Sequence, residues 1–297
     1  MVIREVYRDF LVNERGFSPN TSRAYLIDLN QFFASLDFKV DQATLYLIEL
    51  DHLRGWIIQL KQSHITPKSI NRKISSLKTF FNFCKRQSLI NSNPVSHIKY
   101  LKEKKRLPIV VSELDLRILF SENKKHFHDN FIGSRDKLII DLFYQTGIRL
   151  SELINIKMSD FNCETKSLRV LGKRNKQRDI PLTNNIVDTY NNYIKHKSNH
   201  LKIIDHDFLF ITSIGGKAYS KMIYRIVNNY LGRVSTIQKK SPHVLRHAFA
   251  THLLDKGADI NAIKELLGHS SLAATQIYTH ISGDKIKKAY TKAHPRG

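Results

Sequence analysis

Apolar side chains recur at three- and four-residue spacing along the first hundred residues, which predicts helices. Ser18-Pro19 and Thr66-Pro67 each predict a helix start, because a hydroxyl caps free N–H groups and Pro suits the first helical position. Asp51 is the expected cap of the helix between them. Together with residues 3–15, these segments predict a bundle of four helices. The apolar positions of the second and fourth helices are Tyr25, Leu29, Phe32, Phe33, Leu36, Ile70, Ile74, Leu77 and Phe81.

From residue 109 onward the pattern mixes helices with short alternating segments. Residues 167–172 and 178–183 (SLRVLG and RDIPLT) predict two strands around a cationic turn, and residues 208–212 (FLFIT) are the candidate third strand. Ser241, Pro242 and Gly257 mark the start and end of a later helix. The expected fold is therefore mainly α-helical with a small antiparallel β-sheet.

Charge points to an anionic partner. The 297 residues hold 48 Lys and Arg against 26 Asp and Glu, a formal net charge of +22. Nucleic acid is the first candidate, and an anionic membrane surface is the weaker one. No apolar run is long enough to cross a bilayer, the N-terminus lacks a signal-peptide segment, and two distant cysteines exclude a disulfide framework. A reducing, cytoplasmic location is expected.

A basic segment divides the chain into a first domain at 1–98, a linker at 99–108 and a second domain at 109–297. The linker, KYLKEKKRLP, is either a solvated spacer or a segment that lies along phosphates. The polar side chains of the predicted second and fourth helices suit either DNA-backbone contact or an ordinary basic surface. They are Asn71, Arg72, Lys73, Ser75 and Lys78.

Several common chemistries do not fit. Gly172-Lys173 lacks the P-loop pattern, HVLRH lacks the Glu of a zinc protease, and carboxylates do not cluster as in two-metal nucleases. No metal or cofactor is expected. Cations with nearby hydrogen-bonding groups recur instead, in TGIRLSEL, HVLRH and LGHSSLAATQIYTH. Taken singly, each is better explained by a surface ion pair, a core tyrosine or a buried histidine than by catalysis.

In order and spacing, TGIRLSEL, LGKRNKQR, HVLRHAFATHLL and LGHSSLAATQIYTH resemble the motif set of the tyrosine recombinases. FLVNERGFSPNTSRAYLIDL and the terminal AHPRG resemble the Xer branch of that family. The resemblance implies a helical core-binding (SAM-like) domain and a catalytic domain that form a clamp around DNA. It departs from the family at Arg174, where many relatives have Gly.

The resemblance also implies roles for six residues. Tyr278 would be the nucleophile that forms a 3′-phosphotyrosyl link, Arg149 and Arg246 would hold the non-bridging oxygens, and Lys173 would protonate the leaving 5′-oxygen. His243 and His269 would bind the phosphate or transfer protons. Glu152 would orient Arg149 or a neighbouring residue, and His247 and His280 would be structural. The tail helix, which contains the rival nucleophile Tyr290, would pack into a neighbouring protomer.

The implied activity is site-specific recombination by a type IB topoisomerase-like transesterification, with no cofactor. Chromosome dimer resolution is favoured, because the chain begins directly at the core-binding domain. A mobile-element integrase or invertase and a non-catalytic DNA-binding regulator are the alternatives. The implied partners are double-stranded DNA at a short pseudo-palindromic site, other recombinase protomers in a tetrameric synapse, and a cell-division DNA translocase.

Overall fold

The computed structural model describes residues 2–103, 109–121, 126–172, 177–199 and 207–268. The chain forms two compact units, Met1–Arg106 and Leu107–Gly297. Each unit has its own hydrophobic core. Within the described ranges, no helix is long and apolar enough to cross a membrane.

The described part of the first unit is helical. Its elements are α1 (Val2–Asp9), a π-helical turn (Phe10–Glu14), α2 (Pro19–Phe33), a 3-10 turn (Leu45–Leu47), α3 (Leu50–Gln62) and α4 (Pro67–Arg86). The side chains of Ser18 and Thr66 cap α2 and α4, and each accepts a bond from the backbone three residues on. The expected cap Asp51 is wrong, because α3 begins two residues earlier than that cap would imply, at Leu50, and Glu49 is the N-cap residue.

Aromatic side chains fill the core of the first unit. Tyr7, Phe32, Phe80 and Phe81 are fully buried. The rings of Tyr7 and Phe80 meet edge to face with their centroids 5.0 Å apart, a favoured geometry for aromatic pairs. Phe32 of α2 and Phe81 of α4 also meet edge to face, with their centroids 6.4 Å apart, so the apolar stripes of these two helices pack against each other.

The second unit combines helices with a small sheet. Its helices are α5 (Glu113–Phe120), α6 (Phe131–Thr146), α7 (Leu150–Leu153), α8 (Asn184–Ser198), α9 (Ser220–Val234), α10 (Pro242–Asp255) and α11 (Ile260–Leu267). Its strands are β1 (Phe161–Asn162), β2 (Ser167–Leu171) and β3 (Gln177–Pro181), which pair antiparallel in the order β1-β2-β3. The mainly helical fold with a small antiparallel sheet is confirmed.

The third strand is not the one that the sequence predicts. Residues 208–212 make only isolated bridges, Lys157 with Phe208 and Ile211 with Lys217, and β1 takes the outer position. The carbonyl oxygen of Leu209 instead accepts from the side chains of Tyr193 and Lys197, at 2.9 and 3.2 Å. Helix α8 therefore satisfies backbone groups that a sheet neighbour would otherwise pair.

Candidate active site

A left-handed glycine sets the path of the chain into the candidate site. Helix α6 ends at Gly147, whose φ is +60°, a conformation that disfavours side chains. A Cβ built there would lie 2.5 Å from Phe249 Cδ1 and 2.7 Å from Leu267 Cδ2. The backbone therefore passes closely against α10 and α11, and two residues later Arg149 precedes α7.

Glu152 is a buried carboxylate that joins two arginines. It accepts from the Arg149 backbone N–H at 2.8 Å and from Arg149 Nη1 at 2.7 Å. Arg178 of β3 donates to both of its oxygens, at 2.8 and 2.9 Å. Burial raises the pKa of Glu152, but the hydrogen bonds from Arg178 and Arg149 outweigh burial and hold the pKa at about 2. The carboxylate is therefore ionised and fixed at neutral pH.

Arg246 is held by backbone carbonyls. It lies on α10 and is buried, and its Nη1 donates to the carbonyl of Gly147 while its Nη2 donates to that of Leu267 at 2.8 Å. The end of α6 is thus tied to the end of α11 through this guanidinium.

Three consecutive carbonyls at the end of α11, those of Leu266, Leu267 and Gly268, each accept from a different arginine. Arg178 Nε donates to Leu266 at 3.0 Å, and Arg149 Nη2 donates to Gly268 at 2.6 Å. Arg246 takes the middle carbonyl. We refer to these acceptors as the carbonyl triplet. Cations are favoured at this end of a helix, where the helix dipole is negative.

The arrangement suits the binding of one phosphate. Guanidinium groups stay charged and match phosphate oxygens in a bidentate geometry. The side chain of Arg149 is 31% exposed, so an anion in solution can reach it. Three arginines against the one carboxylate of Glu152 leave the cluster positive.

Among the predicted site residues, Arg149, His243 and Arg246 lie within the described ranges, and Lys173, His269 and Tyr278 lie outside them. Arg174, Tyr290 and His280 also lie outside them. His243 is exposed near the start of α10, one turn before Arg246. Its ring meets that of His247 edge to face, with the ring centroids 4.4 Å apart. The structure thus brings Arg149 and Arg246 to one helix end, with His243 on the same helix as Arg246.

Sequence reasoning did not select Arg178. A signal was nevertheless present, because strand alternation puts Arg178 on the same side of β3 as the buried Ile180. An arginine on the core side of a strand requires a buried partner, and Glu152 is that partner.

The polar face of α4 is less available for contact with DNA than the sequence suggests. Interpreting Lys73 as an exposed cation is wrong, because it is buried and donates to Asp28 at 2.8 Å. The side chain of Asn71 pairs with the backbone N–H and carbonyl of Leu101, at 2.8 and 2.9 Å. Lys78 donates to the carbonyl of Ile98 at 2.9 Å. Residues 98–101 therefore cover part of this face.

Helix α9 presents a second cationic surface. Lys221, Tyr224, Arg225 and Asn228 are exposed at helical spacing, and α9 contains no acidic residue. An exposed helix face with cations, an aromatic ring and an amide suits contact with nucleic acid.

In the described ranges, no group of three or more His, Cys, Asp or Glu side chains could hold a metal ion.

Comparison with known proteins gives consistent matches. The model of the phage integrase family matches residues 115–284, and that of the phage integrase N-terminal SAM-like domain matches residues 5–88. Tyrosine recombinase XerC of Staphylococcus epidermidis is 36% identical over 294 residues, which cover 99% of this chain and 97% of the relative. That of Chlorobaculum parvum is 34% identical over 314 residues, which cover 98% and 94%.

Two solved structures share the fold. XerH site-specific recombinase bound to palindromic difH substrate, in a post-cleavage complex, matches with a TM-score of 0.74 at 21% identity, over 92% of this chain and 78% of that one. The Tn1549 transposon integrase in complex with transposon right end DNA matches with a TM-score of 0.74 at 19% identity, over 97% and 98%.

Proposed function

The chain belongs to the phage integrase family, in the Xer branch of the tyrosine recombinases, and on that premise we propose that it resolves chromosome dimers. It would do so by cutting and rejoining DNA at a short pseudo-palindromic site. Residues 1–98 would form the core-binding domain, 99–108 the linker and 109–297 the catalytic domain. The observation that supports this function best is that Arg149 and Arg246 are anchored on neighbouring carbonyls of one helix end.

Arg149 and Arg246 would hold the non-bridging oxygens of the scissile phosphate. Negative charge builds on these oxygens in the pentacoordinate transition state, so preorganised donors stabilise that state more than the ground state. The backbone carbonyls and Glu152 fix both guanidinium groups before DNA binds. Little reorganisation is then needed during the reaction.

Tyr278 would attack the phosphorus, and the bond from phosphorus to the 5′-oxygen would break. A phenol has a pKa of about 10, so its proton must pass to a base, for which His243 and His269 are the candidates. Lys173 would protonate the leaving 5′-oxygen. The 3′-phosphotyrosyl link keeps the bond energy, and the returning 5′-hydroxyl reverses the step. Neither ATP nor a metal is required.

The DNA partner is supported by charge and by the relatives. The net charge is +22, and the exposed face of α9 contributes Lys221 and Arg225. The XerH and Tn1549 integrase structures both contain their DNA substrates. We extend double-stranded DNA binding to this chain, with further protomers in a tetrameric synapse and a cell-division DNA translocase as activator.

A mobile-element integrase or invertase is the second candidate, favoured by the fold match with the Tn1549 transposon integrase. The curated relatives at 34–36% identity are XerC proteins, which favours the chromosomal role. A non-catalytic regulator would have no need of all six residues, and the sequence contains Arg149, Lys173, His243, Arg246, His269 and Tyr278.

Covalent capture tests this proposal. DNA attached to the protein in cells is recovered and sequenced, and a nicked suicide substrate is built from the recovered site. We expect the wild-type chain and the control Tyr290→Phe to be trapped on this substrate, and Tyr278→Phe to bind DNA without being trapped. Trapping of Tyr278→Phe would overturn the nucleophile. Recovery of a transposon end instead of one chromosomal site would favour the second candidate.

A further inference from the structure

We propose that Arg178 is a positioning residue for DNA cleavage, which fixes Arg149 through Glu152 and fixes the end of α11 through the carbonyl of Leu266. This inference rests on the proposed function. Arg178 is not among the six site residues that the family resemblance implies.

Arg178 is committed to the protein by all three of its guanidinium nitrogens. Nη1 and Nη2 donate to the two oxygens of Glu152, and Nε donates to the carbonyl of Leu266. Its side chain is only 15% exposed. Such an arginine is placed to hold other groups, in contrast to the more exposed Arg149.

The contact with Glu152 passes directly to Arg149. The same carboxylate accepts from the backbone and the side chain of Arg149, so both arginines depend on its charge and orientation. The charged groups that face Glu152 within the described ranges are Arg149 at the start of its own helix and Arg178 from β3. Without Arg178, one cation would remain to offset the burial of this carboxylate, and its pKa would rise. A protonated Glu152 no longer accepts fully at both oxygens, which would loosen Arg149.

The contact between Arg178 and the carbonyl of Leu266 bears on Arg246 and on the end of α11. Arg178 holds the first carbonyl of the triplet, Arg246 the second and Arg149 the third. Gly268, the last of the three, has a φ of +62°, and a Cβ built there would lie 3.2 Å from Arg178 Nη1. His269 is the next residue in the sequence. Arg178 therefore helps to fix the end of α11, the described element that precedes His269 and Tyr278 in the sequence.

The test compares Arg178→Met and Arg178→Lys with the matched control Arg169→Met. Arg169 lies on the adjacent strand β2 and also pairs with a carboxylate, Asp179, at 2.9 Å, but both side chains are more than half exposed. The rate of covalent complex formation is measured on the suicide substrate at saturating DNA, from pH 5 to 8. DNA affinity is measured separately.

We expect Arg178→Met to cleave about 100-fold more slowly at neutral pH, the scale of a misplaced catalytic group, with DNA affinity within about threefold of wild type. Its rate relative to wild type should fall further as the pH drops toward 5, because Glu152 becomes protonated. In a Glu152→Gln background this additional pH dependence should vanish. Arg178→Lys should recover part of the rate, and Arg169→Met should match wild type.

Wild-type cleavage rates for Arg178→Met across this pH range would overturn the inference. So would a rate loss that is independent of pH, or one fully explained by weaker DNA binding. If Arg178→Met does not fold, Arg178→Lys decides: a wild-type rate and pH profile would contradict the positioning role. If the wild-type chain itself forms no covalent complex, the proposed function fails, whereas an active wild type with unaffected Arg178 variants removes this inference alone.

Discussion

Replacing Glu152 by Gln should destabilise the second unit in a pH-dependent way. The carboxylate is 3% exposed and accepts four hydrogen bonds from Arg149 and Arg178. Its pKa falls from an ordinary value of 4.5 to about 2, because those bonds outweigh its burial. At about 1.4 kcal/mol per tenfold change in proton affinity, this depression corresponds to about 3 kcal/mol of stability at neutral pH.

The lowered pKa of Glu152 determines how the stability of the second unit changes with pH. A depressed pKa means that the unfolded chain binds the proton more readily, so the stabilisation is complete above about pH 5 and is lost as the pH falls toward 2. For a unit of this size, about 3 kcal/mol corresponds to roughly 6–12 °C in Tm. Glu152→Gln should therefore melt at least several degrees below wild type at pH 7, and the difference should shrink by more than half at pH 3.

Differential scanning calorimetry of the full chain measures both values, and only the transition of the second unit should move. Asp179→Asn is the control, because this carboxylate pairs with Arg169 at the surface, where solvent screens the charges and an ion pair adds little stability. An equal Tm difference at pH 7 and pH 3 would refute the reasoning, since it would assign the loss to packing instead of charge.

Two further substitutions test the surroundings of the site. Gly147→Ala should lower the free energy of unfolding by about 2–4 kcal/mol, because the new Cβ would overlap the Phe249 and Leu267 side chains at a positive φ. Gly232→Ala is the control: its Cβ would enter open space on α9, so thermal melting should show a neutral or stabilising effect. Gly147→Ala with an unchanged Tm would contradict the close packing. Lys221→Gln and Arg225→Gln should each reduce the salt dependence of DNA binding by about 0.9 in log–log slope, measured by fluorescence anisotropy, and Lys195→Gln on α8 is the exposed control. Unchanged slopes for both would remove α9 from the DNA interface.

Local signals predicted much of the helical fold. Ser18 and Thr66 cap the helices that they were expected to cap, since the signal lies within four residues of sequence. The third strand was wrong because the pairing of residues 208–212 depends on side chains of α8, which sequence periodicity does not reveal. Lys73 was misplaced for the same kind of reason, because its partner Asp28 is 45 positions away.

The candidate site was predicted as a set of residue types, and its supporting contacts were not. Motif spacing selects Arg149 and Arg246, but two of the carbonyls that hold them, those of Gly268 and Gly147, belong to residues 119 and 99 positions away in sequence. Backbone carbonyls carry no signature in the sequence, so the role of the α11 end emerges only from the fold. Arg178 was missed because its partner Glu152 comes from a different element.

A change in the DNA substrate tests most directly whether Arg149 stabilises the charge on the scissile phosphate. A methyl group replaces one non-bridging oxygen of the scissile phosphate, which removes its negative charge. On ordinary DNA, Arg149→Gln should cleave about 100- to 1,000-fold more slowly than wild type, the loss typical of one transition-state donor. On the neutral phosphate, the deficit of Arg149→Gln relative to wild type should fall below about tenfold, because less charge needs stabilising. An equal deficit on both substrates would contradict the assignment of Arg149 to the phosphate oxygens.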